Sequence, residues 1–568
     1  MTDQPGLFAL AARMGIAAEY QDIRDHTRRA EAAVVGELLD AFGITADMQR
    51  DPQGALDALD DADWTQPLPP VTVLQHPVPS VRVRFRLPAS RLAHRLRWRL
   101  LEEYGREHSG SLRLHPPDDA QRRTVNGVPH VAVDLEIAEA LPPGYHRLEL
   151  LQGQKLLGSM SLILAPRTCY QSDAVLEERR VWGPSLQLYA VRSEHNWGIG
   201  DFGDLRRILE QFADLGADVV GISPLHALFL GNPDHCSPYS PSSRVFLNPL
   251  YIDVGAVPEY ADCAALQSLV GSVDFQVRLE SLRATELVDY VGVSAVKREA
   301  FELLYRDFRD RHVEPGRERA ESFRTFQRSG DGALRRFALF ETLWEHFHAA
   351  DPDAWGWLQW PADFRDPESA AVRAFERTHL ERVEFFEYLQ WLADQQAFSL
   401  GERSAELGLG VGMYFDLAVS VDRNGADAWA DQNCYAQDVS IGAPPDDFNP
   451  RGQNWGLSPP IPQRLRSLGY APFIAALRAV MRDPGALRID HIMGLMRLFC
   501  IPPGRQATDG TYVAYDFDEL LGIVTLESVR ARCMVIGEDL GTVPDSVRAA
   551  MLRLGILAYR PLLFAKTA

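Results

Sequence analysis

Apolar and polar positions alternate with a period of two in several stretches of the N-terminal third of the chain. In Val81 to Leu87 every second residue is an arginine, and Val131 to Ile137 and Tyr145 to Leu150 repeat the period. The turn residues Pro142-Pro143-Gly144 separate the last two stretches. Such alternation predicts strands with one buried and one solvated face. We therefore expect a small β-sandwich over residues 67–168.

The residues before this sandwich have a different period. Apolar side chains recur at helical spacing through residues 6–60, as in Ala30 to Leu39, and a proline-rich stretch follows at Pro67, Pro69 and Pro70. This pattern predicts an N-terminal helical segment over residues 1–66 that ends in a linker.

From Trp182 onward, short apolar runs alternate with helical patterns. This order predicts a parallel sheet with crossover helices, and hence a TIM-type (β/α)8 barrel over residues 169–568. Residues 260–400 contain no convincing strand and predict a helical insertion between the second and third strands. The candidate strands are Leu186 to Val191, Asp218 to Ile222, Val411 to Leu417, Leu487 to Asp490, Cys533 to Gly537 and Ile556 to Phe564. A closed barrel of this type needs eight strands, and the sequence supplies six candidates.

Composition narrows the function classes. With 58 Lys+Arg against 78 Asp+Glu the formal net charge is −20, which argues against a nucleic-acid or anionic-membrane partner. We find no signal peptide, no apolar run approaching 18 residues and no close pair among the six cysteines, so we expect a cytoplasmic protein. The histidines show no metal-binding spacing and no Walker-type lysine occurs, so we expect neither a metal nor a cofactor.

Two candidate strands end in charged residues. Arg488-Ile489-Asp490-His491 ends the fourth strand, and Glu538-Asp539 ends the fifth. Active sites of such barrels lie at the C-terminal ends of the strands, where adjacent strands would bring Asp490 and Glu538 close together. A pair of carboxylates in this arrangement is typical of glycoside chemistry, in which one attacks the sugar carbon and the other protonates the leaving oxygen.

Each of these residues also has a purely structural interpretation. Arg488 and Asp490 share a strand face and could form a structural ion pair. Glu538 and Asp539 could merely lead into a helix with Thr542 as its N-cap and Asp545 in the capping-box position. That helix start would leave Glu538 without a structural role.

Two further segments could contact a substrate. A long loop rich in Pro, Gly and Asn precedes the fourth strand and carries Gln453 and Trp455, which suit a sugar because its ring face stacks on aromatics and its hydroxyls need planar donors and acceptors. Ser237-Pro238-Tyr239 follows the second strand and places Tyr239 at the same mouth. The alternative for Trp455 and for Tyr239 is simple packing.

Together these segments resemble the 4-alpha-glucanotransferases, or amylomaltases, of glycoside hydrolase family 77. The resemblance covers the chain from about residue 170 onward, and the N-terminal part is similar to the extended bacterial subgroup. It rests on five motifs in the family's order: Ser237-Pro238-Tyr239, Gly442-Ala443-Pro444-Pro445-Asp446, Gly452-Gln453-Asn454-Trp455-Gly456, Ala486-Leu487-Arg488-Ile489-Asp490-His491 and Ile536-Gly537-Glu538-Asp539-Leu540-Gly541.

The resemblance implies retaining transfer of a 1,4-α-glucan segment to the 4-hydroxyl of another glucan, without a cofactor. Asp490 matches the nucleophile and Glu538 the general acid/base, and we expect Arg488 to keep Asp490 ionised while Glu538 begins protonated. Substrate-cleft positions are matched by His491, Trp455, Gln453 and Tyr239. The implied partners are maltooligosaccharides and glucans derived from starch or glycogen, with the protein as a monomer or homodimer.

The family's third essential carboxylate, an Asp in a His-Asp motif after the seventh strand, has no match downstream of Glu538. We therefore expect the barrel to lack its last two strands and the chain to be poorly soluble, with little or no activity. Two alternatives to the transferase stay open: an α-1,4-glucan hydrolase and a truncated, non-catalytic glucan-binding protein. We also expect the loop from Pro445 to Trp455 to favour transfer over hydrolysis by shielding the intermediate, so that shortening it raises the hydrolysed fraction.

Overall fold

The computed structural model describes residues 5–112, 120–330, 332–482, 485–541 and 543–561. The N-terminal segment is mainly helical, as the spacing predicts, but it also contains a short antiparallel hairpin that the sequence analysis missed. Its elements are α1 (Pro5–Arg13), β1 (Glu19–Gln21), β2 (Thr27–Arg29), α2 (Ala32–Ala41), α3 (Ala46–Arg50) and α4 (Pro52–Thr65).

A β-sandwich follows. Its five-stranded sheet has the order β3-β10-β9-β5-β6 and its three-stranded sheet the order β4-β8-β7. The strands are β3 (Val71–Gln75), β4 (Val81–Pro88), β5 (Leu96–Leu101), β6 (Glu107–Leu112), β7 (Arg122–Val125), β8 (Val128–Ile137), β9 (Gly144–Gln152) and β10 (Lys155–Ala165). In β4 the apolar residues Val81, Val83, Phe85 and Leu87 are buried. Of the three arginines between them, two are exposed and one is half-buried, so the period of two predicts both the strand and its buried face.

The remaining strands belong to the barrel region. They are β11 (Ser185–Leu186), β12 (Val219–Ile222), β13 (His226–Ala227), β14 (Ser243–Leu247), β15 (Gly412–Leu417), β16 (Val421–Asp422), β17 (Ser440–Ala443), β18 (Gln453–Asn454), β19 (Leu457–Ser458), β20 (Gly485–Ile489), β21 (Arg497–Ile501), β22 (Thr511–Ala514), β23 (Cys533–Gly537) and β24 (Leu557–Ala558). Six of them form one parallel sheet in the order β11-β12-β15-β20-β23-β24. These six correspond to the six candidate strands of the sequence analysis.

The helices of this region cover the sheet and form the insertion between β12 and β15. They are α5 (Asp173–Leu176), α6 (Phe202–Asp214), α7 (Ala264–Val270), α8 (Val273–Ala284), α9 (Tyr290–Phe308), α10 (Glu318–Ser329), α11 (Ala333–Ala350), α12 (Ala362–Arg365), α13 (Ala370–Thr378), α14 (Leu380–Glu406), α15 (Ala426–Ala430), α16 (Pro462–Ser467), α17 (Ala471–Val480), α18 (Phe517–Ala531) and α19 (Asp545–Leu554). Helix α19 begins at Asp545 after Pro544, and Thr542, the expected N-cap, lies outside the described residues.

The observed strand bounds differ most from the predicted ones in three strands. The first strand ends at Leu186 rather than Val191, because Leu188–Ala190 form a turn of 3₁₀ helix that buries Leu188. The last is Leu557–Ala558 within the predicted Ile556 to Phe564, of which residues 562–564 lie outside the described part. The fourth ends at Ile489, which leaves Asp490 just beyond the strand. Short apolar runs do not separate strands from turns by period alone.

A second small sheet lies beside the barrel mouth, with the order β18-β17-β21-β22. It was not predicted, and it includes both ends of the segment interpreted as one long loop. The N-terminal helices pack on it: Leu10, Val35 and Leu38 share an apolar cluster with Ile441 and Leu498 of this sheet. Within the described residues, we find no helix long and apolar enough to cross a membrane.

Candidate active site

The ends of β20 and β23 bring Asp490 and Glu538 together. In the parallel register Ile489 lies opposite Gly537, so the two acidic residues occupy the next position on neighbouring strands. The backbones stay bonded there, because the Glu538 amide donates to the Ile489 carbonyl at 3.0 Å and the Ile492 amide donates to the Glu538 carbonyl at 3.0 Å. Paired strands lie about 4.8 Å apart, so the two acidic side chains start from neighbouring positions at the carboxyl end of the sheet.

Arg488 reaches Asp490 from within the same strand. Its Nη2 lies 2.7 Å from Asp490 Oδ1, so the ion pair of the structural interpretation does form. The side chain of Asp490 nevertheless stays 21% exposed. Burial raises the pKa of Asp490, the Arg488 charge opposes that rise, and the nearby Glu538 adds to it. Arg488 thus favours the ionised form of Asp490 against the effect of burial.

Asp416 is a site residue that the sequence analysis missed. It lies on β15 directly opposite Arg488, and both of its oxygens accept from Arg488 Nη1, at 2.7 and 2.9 Å. Burial raises the pKa of Asp416 to about 6, with Arg488 opposing. A carboxylate inside an apolar strand, next to a strand carrying an arginine at the facing position, is the signal that could have identified it.

Tyr239 joins this network from the loop between β13 and β14. Its hydroxyl donates to Asp416 Oδ2 at 2.8 Å, while 38% of the residue remains exposed. Burial and the adjacent Asp416 carboxylate raise the pKa of Tyr239, so it stays a neutral donor. Tyr239, Asp416 and Arg488 line one open cleft, together with Tyr414 and Tyr559.

Glu538 is held by backbone amides. Its Oε2 accepts from the His491 amide at 3.0 Å and its Oε1 from the Leu540 amide at 2.8 Å. His491 has a φ of 50°, a left-handed conformation that aims its amide at the neighbouring strand end. Burial lowers the pKa of His491 to about 4, so its ring is neutral near pH 7.

Trp455 approaches the site from the small sheet. Its ring packs edge-to-face on His491 with 5.4 Å between the ring centroids, and its indole nitrogen donates to Gln453 Oε1 at 3.2 Å. Gln453 lies on β18, not in a loop as the sequence suggested, and pairs with Ala443 of β17. The seven predicted site residues thus fall into two groups of contacts: Tyr239, Arg488 and Asp490, joined through Asp416, and Gln453, Trp455, His491 and Glu538. The two groups meet where Asp490 and Glu538 follow the paired strands β20 and β23.

Asp539 has different contacts from its neighbour Glu538. Its side chain is 5% exposed, its Oδ2 lies 3.3 Å from Arg548 Nε of α19, and its Oδ1 accepts from the Tyr559 amide at 3.1 Å. Asp539 therefore has the structural role that the alternative interpretation gave to both residues, whereas the carboxyl group of Glu538 is held by the amides of His491 and Leu540.

Groups of three or more metal-ligating side chains do not occur in the part of the chain that the structure describes. The site is instead built from carboxylates, an arginine, a tyrosine and aromatic rings at the C-terminal ends of parallel strands. Fold and site together define a (β/α)-barrel protein of the carbohydrate-active class.

Comparison with known sequences identifies the family. The family model described as 4-alpha-glucanotransferase (glycoside hydrolase family 77) matches residues 186–568, and a MalQ N-terminal beta sandwich domain matches residues 67–166. The chain belongs to the 4-alpha-glucanotransferase family, which confirms the resemblance seen in the five motifs.

Individual relatives of the chain agree with this family assignment. A 4-alpha-glucanotransferase of Haemophilus influenzae is 44% identical over 75% of this chain and 61% of its own length. One from Mycobacterium bovis is 37% identical over 99% of this chain and 75% of its own. The crystal structure of amylomaltase from Corynebacterium glutamicum superposes with a TM-score of 0.82 at 29% identity, covering 98% of this chain and 75% of that one. The chain thus spans 61% to 75% of the length of these relatives.

Proposed function

We propose that this chain transfers segments of a 1,4-α-D-glucan to the 4-hydroxyl of an acceptor glucan or glucose, through a covalent glycosyl-enzyme. The observation that carries the proposal is the placement of Asp490 and Glu538 at matching positions on adjacent strand ends, with Arg488 bonded to Asp490. The family of the chain and its named relatives favour transfer over the two alternatives.

Asp490 is the proposed nucleophile. Its Oδ1 is occupied by Arg488, and within the described residues no side chain or amide bonds to Oδ2, which leaves that oxygen for attack. Attack on the anomeric carbon forms the ester bond and breaks the bond to the glycosidic oxygen. Arg488 in turn is fixed by its bond to Asp416. The guanidinium charge is therefore beside Asp490 in the second step, when the ester bond breaks and the Asp490 carboxylate regains its negative charge.

Glu538 is the proposed general acid and base. In the first step it gives a proton to the departing glycosidic oxygen, and in the second it takes the proton from the acceptor 4-hydroxyl as that oxygen bonds to the anomeric carbon. The two backbone amides fix its carboxyl group, and each oxygen retains a lone pair for the transferred proton.

The substrate contacts are proposed on the same geometry. Trp455 offers a ring face beside His491, Gln453 offers planar amide groups, and Tyr239 lines the cleft that contains Arg488. Acarbose was bound by an amylomaltase from Streptococcus agalactiae whose structure shares this fold at a TM-score of 0.55 and 21% identity. We infer that maltooligosaccharides and glucans derived from starch or glycogen occupy the cleft here.

The remaining expectations stay proposals. The six parallel strands correspond to part of a (β/α)8 barrel, an interpretation supported by the greater length of the relatives. A cytoplasmic location is supported by the free thiols of all six cysteines, and the protein is expected as a monomer or homodimer.

The test is incubation of the purified chain with maltotriose and separation of the products by size, alongside Asp490→Asn and Glu538→Gln. Glucose together with longer maltooligosaccharides, absent with both variants, supports the transferase. Glucose and maltose without longer products would favour the hydrolase. Binding of maltotriose without turnover, retained in both variants, would favour the glucan-binding protein.

A further inference from the structure

The loop between β17 and β18, residues 444–452, has few attachments of its own. Its bonds are largely internal: Asp446 Oδ1 accepts from the amides of Phe448 and Asn449 at 2.8 and 2.5 Å. Phe448 at its tip is 84% exposed, so apolar packing does not hold the tip. The ends of the loop, by contrast, are fixed in the small sheet next to Gln453 and Trp455.

One contact reaches the loop tip from the N-terminal hairpin. Arg24 Nη2 lies 2.7 Å from Asp447 Oδ1. In the stretches of chain that the structure describes, Arg24 is the only residue outside the loop that forms a hydrogen bond or ion pair with residues 445–449. The two residues are 423 positions apart in sequence.

Arg24 is itself held in place by the turn of its hairpin. Asp22 Oδ1 accepts from the amides of Arg24 and His26 at 2.9 and 3.0 Å, and Asp22 Oδ2 accepts from Arg28 Nε at 2.9 Å. Burial opposes ionisation of Asp22, but these donors outweigh it and lower the pKa of Asp22 to about 2. Asp22 is therefore an ionised carboxylate near pH 7 and holds the turn in that form.

The hairpin is fixed to the same small sheet from which the loop projects. Tyr20 of β1 packs edge-to-face on Phe499 of β21 and Tyr512 of β22, at 5.7 and 5.3 Å between ring centroids. The Ala17 amide donates to the Tyr512 carbonyl at 2.8 Å, and Thr511 donates to the Ala17 carbonyl at 2.9 Å. The sheet therefore positions both sides of the Arg24–Asp447 pair.

We propose that Arg24 is a positioning residue for the loop 444–452, and that this contact lowers the share of glycosyl-enzyme lost to water. The inference rests on the proposed transferase function, in which the loop shields the intermediate between the two steps. Arg24 does not touch the substrate; it biases the loop toward the arrangement seen here, in which Asp447 at the loop tip meets the hairpin.

The solvent exposure of Arg24 and Asp447 limits the size of the effect that their ion pair can have on the loop. The side chains of Arg24 and Asp447 are 69% and 59% exposed, and ion pairs of this kind change a two-state equilibrium by a factor of about two to five. The same exposure makes the effect sensitive to salt, because salt weakens ion pairs between solvent-exposed side chains.

The experiment measures the ratio of hydrolysed to transferred maltotriose for Arg24→Glu, Asp447→Arg and the double variant, at low and high NaCl. Each single variant is expected to raise the ratio about two- to fivefold at low salt, and the double variant to restore it. High salt should raise the wild-type ratio toward that of the single variants. Arg29→Glu, on the same hairpin but directed at Glu19, is the matched control and should leave the ratio unchanged.

Limited trypsin cleavage after Arg451 provides a readout that needs no turnover. Arg24→Glu should accelerate this cleavage by a similar factor, and the control Arg29→Glu should leave it unchanged. This result is expected even if the chain makes no products and the proposed function fails. An unchanged product ratio in an active Arg24→Glu variant, or unchanged cleavage after Arg451, would overturn the proposal.

Discussion

Arg488 donates from a single nitrogen, Nη1, to both oxygens of Asp416, at 2.7 and 2.9 Å. This leaves Nη2 for Asp490, which it meets at 2.7 Å. The planar guanidinium therefore joins a buried carboxylate on one strand to the proposed nucleophile after the next strand. Such a fork cannot be reproduced by the single ammonium of lysine.

Arg488→Lys should consequently lower kcat by about 10- to 100-fold with a smaller change in KM, because a charged hydrogen bond of 1.5–3 kcal/mol is lost in the step where Asp490 leaves. Steady-state transfer kinetics with maltotriose measure this. Asp416→Asn keeps an acceptor for Arg488 but removes the charge, and should fall between Arg488→Lys and the wild type. A wild-type kcat in Arg488→Lys would contradict the role given to the fork.

Substitutions of Glu538 and Asp539, the two adjacent acidic residues after β23, should have different effects. Glu538→Gln removes the proposed general acid and base and should cost about 10²- to 10⁴-fold in kcat. Asp539→Asn removes the charge that a buried carboxylate presents to Arg548 and should lower the thermal midpoint while leaving kcat within about threefold, because Asp539 holds Arg548 and the Tyr559 amide and is not one of the two proposed catalytic acids. Thermal unfolding and turnover measured on both variants test this; equal losses of kcat would refute it.

The period of the side chains was sufficient to predict the sandwich strand Val81–Pro88 and the six parallel strands, because burial on one face or on both leaves a pattern in the sequence. It could not predict β18, whose two residues, Gln453 and Asn454, are both polar, so that no apolar run marks the strand. The hairpin of β1 and β2 was missed for the same reason.

The site was predictable where a charged residue ended an apolar strand, as at Asp490 and Glu538. Asp416 was missed because its partner Arg488 lies 72 residues away, and only the strand register brings the two together. The roles of Asp490 and Glu538 stay predictions, whereas the family that the five motifs indicated is confirmed by the match over residues 186–568.

Trp455 has two separable contacts, the ring of His491 and the side chain of Gln453. Trp455→Phe retains the aromatic ring and loses only the bond to Gln453, so it should raise KM for maltotriose about two- to threefold. Trp455→Ala loses the ring as well and should raise KM about tenfold or more, since aromatic contacts contribute about 0.5–1.5 kcal/mol beyond burial. Equal KM values for the two variants would show that the ring does not contact the substrate.

His491 should make the protein sensitive to mild acid. Burial lowers its pKa to about 4 from an ordinary 6.5, with Asp490 opposing this shift and Arg497 adding to it. The unfolded chain therefore binds a proton between pH 6.5 and 4 that the folded chain does not. The contribution of neutral His491 to stability is complete above pH 6.5 and is lost as the pH falls toward 4. Asp416, whose pKa is raised to about 6, acts in the opposite direction over part of this window.

Comparing the wild type with His491→Gln isolates the histidine, because Asp416 is present in both. The difference in unfolding free energy between them should shrink by up to about 3 kcal/mol from pH 7.5 to pH 4.5, measured by denaturant unfolding at several pH values. His195→Gln, the same substitution at an exposed position, is the matched control. A His491→Gln difference that stays constant with pH would mean that the folded protein accepts the proton as readily as the unfolded chain, so that burial does not keep the ring beside Trp455 neutral below pH 6.5.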